Sequence, residues 1–129
     1  MDVPKQVDYW KSSGREDFAV AEELFENGRF RHALFFAHLA AEKLLKAHVT
    51  KRTGEVPPRI HNLVQLADEA GIEINIDNKR FLGELSAYYI QSRYPEEIKE
   101  MYSTITRESA AEILKKTEET IQWLFSMPE

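Results

Sequence analysis

Phe35-Phe36-Ala37-His38-Leu39-Ala40-Ala41-Glu42-Lys43-Leu44-Leu45-Lys46-Ala47-His48 is the stretch whose reading decides the fold. Leu34, Ala37, Ala41, Leu44, Leu45 and His48 recur at the i, i+3, i+4, i+7 spacing of a helix with one buried face. Alanines at 33, 37, 40, 41 and 47 keep the helix thin, so a second helix can approach closely. His38, Glu42, Lys46 and Thr50 follow one another at i+4 and form a polar edge beside the apolar stripe. Such an edge suits an interface or an anion site, and it also suits an ordinary amphipathic helix.

Working outward, residues 5–27 read as a preceding helix, with Pro4 in its first turn and Asn27-Gly28 as its stop. Gly14 weakens its middle, which leaves room for a bend or a late start near Ser13. The connection to the second helix, about 29–52, is so short that the two must run antiparallel. Thr53 to Pro58 forms a loop, and His61 to Gly71 a short helix. Ile72-Glu73-Ile74-Asn75-Ile76 alternates like a strand but has no partner, so it reads as a linker whose isoleucines enter the core. Asp77 should cap a helix of about 78–92 that Pro95 ends. Glu96–Tyr102 reads as a turn of helix, and a last helix of about 107–126 follows a cap at Thr106. The expected fold is all-α, an up-and-down helical bundle of about five helices in one domain spanning 1–129.

Composition narrows the functions. The chain has 129 residues, no cysteine and a net charge of −5, which argues against disulfides, thiolate metal sites and general coating of nucleic acid. No apolar run reaches membrane-span length, and the start Met1-Asp2-Val3-Pro4-Lys5 lacks a signal-peptide core, so a cytoplasmic location is expected. Charge is segregated. Residues 29–61 carry seven Lys/Arg against Glu42 and Glu55, as well as all four histidines, on an otherwise acidic chain. That asymmetry focuses anions.

Catalytic motifs are lacking: there is no glycine-rich phosphate loop and no His-Glu-x-x-His run. His38 and Glu42 could begin a metal site, but a third ligand at metal spacing is missing, and a helix-surface hydrogen bond fits them better. His61, beside Asn62, fits local capping. No metal, cofactor or catalytic residue is expected. Arg93 is the informative position. Leu85, Tyr89 and Arg93 lie at i, i+4, i+8, so the guanidinium continues a buried stripe and demands a carboxylate, a carbonyl cluster or a bound anion. The anion-site candidates are Arg93, Tyr94, Tyr89, Lys43 and Lys46. An internal Arg93–Glu42 pair is the competing arrangement.

Several motifs in order resemble the HEPN domain family (higher eukaryotes and prokaryotes nucleotide-binding). Phe36 to Ala47 is similar to its second-helix signature, His61-Asn62-Leu63 to its His-x-Leu helix start, and Tyr89 to Pro95 to its Tyr-x-x-x-Arg-Tyr-Pro element. Ala110-Ala111-Glu112 with Trp123 fits its last helix. The resemblance implies a homodimer, a possible nucleotide ligand, and a small nucleotidyltransferase as partner, as in toxin–antitoxin pairs. Some members are metal-independent ribonucleases that use an Arg followed by a His after four to six residues. Here Tyr94 to Glu100 holds no histidine, and Arg31 with His38 has the spacing in the wrong helix. The leading expectation is a non-catalytic binding module; the alternative is a ribonuclease with an atypical active site.

Overall fold

A computed structural model describes residues 1–89 and 94–127, which form six helices and no strand. They are α1 (Val3–Glu26), α2 (Phe30–Thr53), α3 (Leu63–Glu69), α4 (Ile76–Ser86), α5 (Pro95–Ser103) and α6 (Arg107–Ser126). The all-α bundle expected from periodicity is present. The sixth helix is α5, which extends the turn expected after Pro95 to nine residues.

α1 and α2 are antiparallel, because their contacts advance along one helix as they retreat along the other. Trp10 meets Lys46, Gly14 meets Leu44, and Asp17 meets Lys43. Gly28, at φ 74°, makes the tight turn between them. α1 starts at Val3 and runs as one helix to Glu26 through Gly14. A Cβ there would overlap Leu44 Cδ2 and lie 3.0 Å from the Ala40 carbonyl oxygen. Close helix approach therefore requires the glycine that propensity alone disfavours. The five α2 alanines are fully buried, covered within the chain itself.

α6 runs alongside, its first residue Arg107 over Phe25 and Phe30 and its far end at Phe125 beside Arg15. Thr106 and Ser109 cap it reciprocally, so this helix has the bounds its sequence predicts. α3 and α4 close the remaining side of α2 with Leu63, Leu66, Phe81, Leu82 and Leu85. Trp10 and Phe36 are only half-buried. Trp10 packs one side against the Lys46 ammonium and meets Tyr9 edge-on.

Three boundaries differ from expectation. α4 begins at Ile76, not 78, because Asn75 and not Asp77 supplies the cap, accepting from the Asn78 amide at 2.8 Å. Ile72 and Ile74 do pack on the core, while Ile76 enters the helix on its outer side, 69% exposed. α4 also stops at Ser86, well before Pro95. Amides of Ala87, Tyr88 and Tyr89 each bond three residues back, tightening the chain out of the α-helical path. Ser86 accepts the amide of Leu63 at 2.9 Å, so the end of α4 is tied to the start of α3. Pro95 begins a helix instead of ending one, a place that suits its fixed φ.

Candidate functional site

The polar edge of α2 is not a surface. His38, Glu42, Lys46 and Thr50 are all buried, covered by α1 on one side and by the His61 loop and Tyr89 on the other. The helix-surface hydrogen bond expected for His38 and Glu42 is therefore replaced by an internal polar seam. A buried carboxylate needs partners, and among the described residues Glu42 has two. Its Oε1 accepts from His61 Nδ1 at 2.9 Å, and its Oε2 accepts from Lys46 Nζ at 3.1 Å.

Donor roles follow from the acceptors. A carboxylate can only accept, so His61 carries its proton on Nδ1. A carbonyl also only accepts, so His38 donates from Nε2 to the backbone oxygen of His61, at 2.9 Å. His38 is thus left with Nδ1 3.8 Å from Glu42 Oε1 and no hydrogen-bond partner there. Burial holds the His38 pKa below its ordinary value, against the raising effects of the His61 carbonyl and of Glu42. His38 is therefore a neutral strut that fixes the His61 backbone. His61 itself is 40% exposed at the side chain, held from inside by Glu42. Its ring stacks on Tyr89 at 3.9 Å and 15°. Tyr89 also meets His38 at 5.3 Å and Phe35 at 6.1 Å. Burial, then the Glu42 carboxylate, raise the Tyr89 hydroxyl pKa.

The five residues proposed from sequence are distributed as follows. Tyr89 and Lys46 both adjoin Glu42's circle of contacts, Tyr89 through the His61 ring and Lys46 directly. Lys43 turns the other way and bonds Asp17 at 2.7 Å and Ser13 at 2.8 Å on α1. Tyr94 stands 73% exposed just before α5. Arg93 lies outside the described residues. The regular helix α4 ends at Ser86. Sequence reasoning missed His61 as a participant. The available signal was Glu42, one of two acids in a basic segment that also holds every histidine.

A cleft of about 610 Å³ runs between α3, α4 and the linker joining them, within the size range of small-molecule sites. Asn62 and Ser86 line it, the former adjacent in sequence to His61, but Lys43, Lys46, Tyr89 and Tyr94 do not. Among the described residues no group of three or more His, Asp or Glu could hold a metal ion. No described helix is long and apolar enough to cross a membrane.

The described residues thus form six helices with a histidine–glutamate–lysine seam along the second. The chain belongs to the HEPN domain family, whose pattern it matches over residues 7–127. It is similar in fold to TT1696 from Thermus thermophilus, with a TM-score of 0.78 at 23% identity, covering 93% of this chain and 96% of that one. No curated protein matches it.

Proposed function

We propose that this HEPN chain is a cytoplasmic binding module that works as a homodimer, engages a small nucleotidyltransferase, and holds a nucleotide through its phosphate. In this reading Arg93 and Tyr94 grip the phosphate and Tyr89 flanks it, while Lys46, buried and paired with Glu42, adds only charge. Lys43, committed to Asp17, adds only charge. One observation carries the proposal. Both oxygens of Glu42, the internal acid that could have neutralised Arg93, already hold His61 and Lys46. A guanidinium can grip a phosphate bidentately.

The test is Arg93→Ala, followed by thermal unfolding and nucleotide titration. Little loss of stability with loss of most of the nucleotide affinity is expected. A large drop in melting temperature, with no nucleotide bound by the parent, would reject the reading. The surface for a second copy is not the alanine face of α2, which α1 covers. α5 is the better candidate, since none of its residues is buried. Sedimentation at micromolar concentration should give a dimer; a monomer there removes that part of the proposal.

A second reading, a metal-independent ribonuclease, is favoured by one observation: His61 is held from behind by a carboxylate and could transfer a proton. Incubation with total RNA separates the two. The binding-module reading expects no cleavage above background, with or without divalent metal.

A further inference from the structure

Four histidines in one short basic segment invite comparison of what each ring nitrogen does. His38 commits Nε2 to the His61 carbonyl, and His48 commits Nε2 to the Leu124 carbonyl at 2.8 Å. His32 is exposed and has no carboxylate at hydrogen-bond distance among the described residues. His61 differs from all three. Glu42 holds its Nδ1, Tyr89 holds its ring plane, His38 holds its backbone, and Nε2 makes no hydrogen bond among the described residues.

We propose that His61 Nε2 is a nucleophile that accepts a phosphoryl group. Glu42 acts as its positioning residue. Holding the proton on Nδ1 leaves the lone pair on Nε2, the nitrogen turned away from the buried acid. In the transfer, that lone pair forms an N–P bond while the P–O bond to the leaving group breaks. The electron pair of the broken bond departs on the leaving oxygen. The ring keeps its Nδ1 proton and becomes an imidazolium, whose charge the Glu42 carboxylate at 2.9 Å is already placed to balance. Ring orientation costs nothing at that moment, because the Tyr89 stack and the Nδ1–Glu42 bond fix it beforehand. The donor is a reactive phosphoryl compound, either the phosphoanhydride of a nucleotide or a small phosphoryl donor. The nucleotide source rests on the function proposed above.

The experiment treats the whole chain with potassium phosphoramidate and, separately, with ATP and Mg²⁺. Acid-labile phosphate is read by ³¹P NMR, and its position by mass spectrometry. Phosphate is expected on His61, at least tenfold faster than on the exposed control His32. The rate should fall at least tenfold in Glu42→Gln and be unchanged in His32→Gln. Equal labelling of His32 and His61, or no labelling by either donor, overturns the proposal. Because Glu42→Gln disturbs a buried pair, ¹⁵N NMR of the parent gives an independent check. The Nδ1–H tautomer of His61 is expected, and the Nε2–H tautomer overturns the proposal. The two readings fail separately. ATP that binds without labelling, with phosphoramidate also inert, rejects the nucleophile and spares nucleotide binding. Phosphoramidate labelling of His61 without ATP binding supports the nucleophile and rejects nucleotide binding.

Discussion

α2 and α5 are both helices with mixed polar and apolar sequences, yet α2 buries thirteen of its residues and α5 buries none. α5 has the sharper division of faces: Ile98, Met101 and Tyr102 are half-covered, while Glu96, Glu97, Lys99 and Glu100 face water. α2 has charged residues on the inside. The lesson is that amphipathic pattern reports what a helix offers, whereas burial depends on how many neighbours close around it. α2 is enclosed by α1, α6, α3 and α4, so even its polar edge is drawn inside. Once inside, that edge had to become a paired network.

The sharpest way to break this comparison is to remove the acid at the centre of α2. Glu42→Ala leaves the Lys46 ammonium buried without its partner and removes the hydrogen bond to His61. Breaking a buried pair in this way costs about 3–5 kcal/mol. Urea unfolding should show that loss, and a change below about 1 kcal/mol, typical of exposed pairs, would mean that the seam is hydrated after all.

Next in size is the crossing of α1 over α2. Gly14→Ala forces a methyl against Leu44 and the Ala40 carbonyl. Overpacking costs about 1–3 kcal/mol, against a gain of about 1 kcal/mol in helix propensity, so net destabilisation is expected. Gly83 in α4 is the control. It is exposed, and a Cβ there meets no atom within 4 Å. Gly83→Ala should stabilise by roughly 0.5–1 kcal/mol. Opposite signs for two glycine-to-alanine changes, both in helices, would separate packing from propensity. Thermal melts of both variants provide the check.

The seam should also respond to pH. His38 has a folded pKa below its ordinary value, so between the folded and unfolded values the unfolded chain binds more protons. Stability contributed by neutral His38 is therefore present above about pH 6.5, the unfolded value, and declines as pH falls below it. The groups facing His38 are Glu42 and Lys46 on its own helix and His61 and Tyr89 across from it. Melting temperature should fall between pH 7 and pH 5 in the parent. The slope should be smaller in His38→Gln; an equal slope would assign the effect elsewhere.

Much of the fold was legible because apolar periodicity and caps are local. Thr106 announces α6, and Asn27-Gly28 announces the turn between α1 and α2. What was not legible depended on distant partners. α4 stops at Ser86 because Ser86 holds the start of α3 and the following residues tighten, which no residue of 78–92 reveals alone. The His38–Glu42–Lys46 spacing showed that these groups share an edge, but not that α1 and the His61 loop cover it. His61 entered the site through its tertiary neighbours. Its sequence context, next to the capping Asn62, pointed only to a local task.

The smallest effect belongs to α5, and it completes the comparison. Lys99 sits in the middle of this helix and is exposed. Glycine in a helix interior costs up to about 1 kcal/mol, provided that the helix unfolds together with the rest of the fold. α5 buries none of its residues, so its local melting need not be tied to the core. Lys99→Gly should therefore shift the urea midpoint by less than about 0.5 kcal/mol equivalent, while amide exchange in α5 accelerates and exchange in α2 does not change. The proposed dimer adds a condition. If a second copy covers α5, the variant's loss must grow with protein concentration, because association stabilises only the form that carries an intact α5. A loss above about 1 kcal/mol that is the same at every concentration would show α5 to be coupled to the core of its own chain. In that case the contrast with α2 would be one of exposure and not of cooperativity.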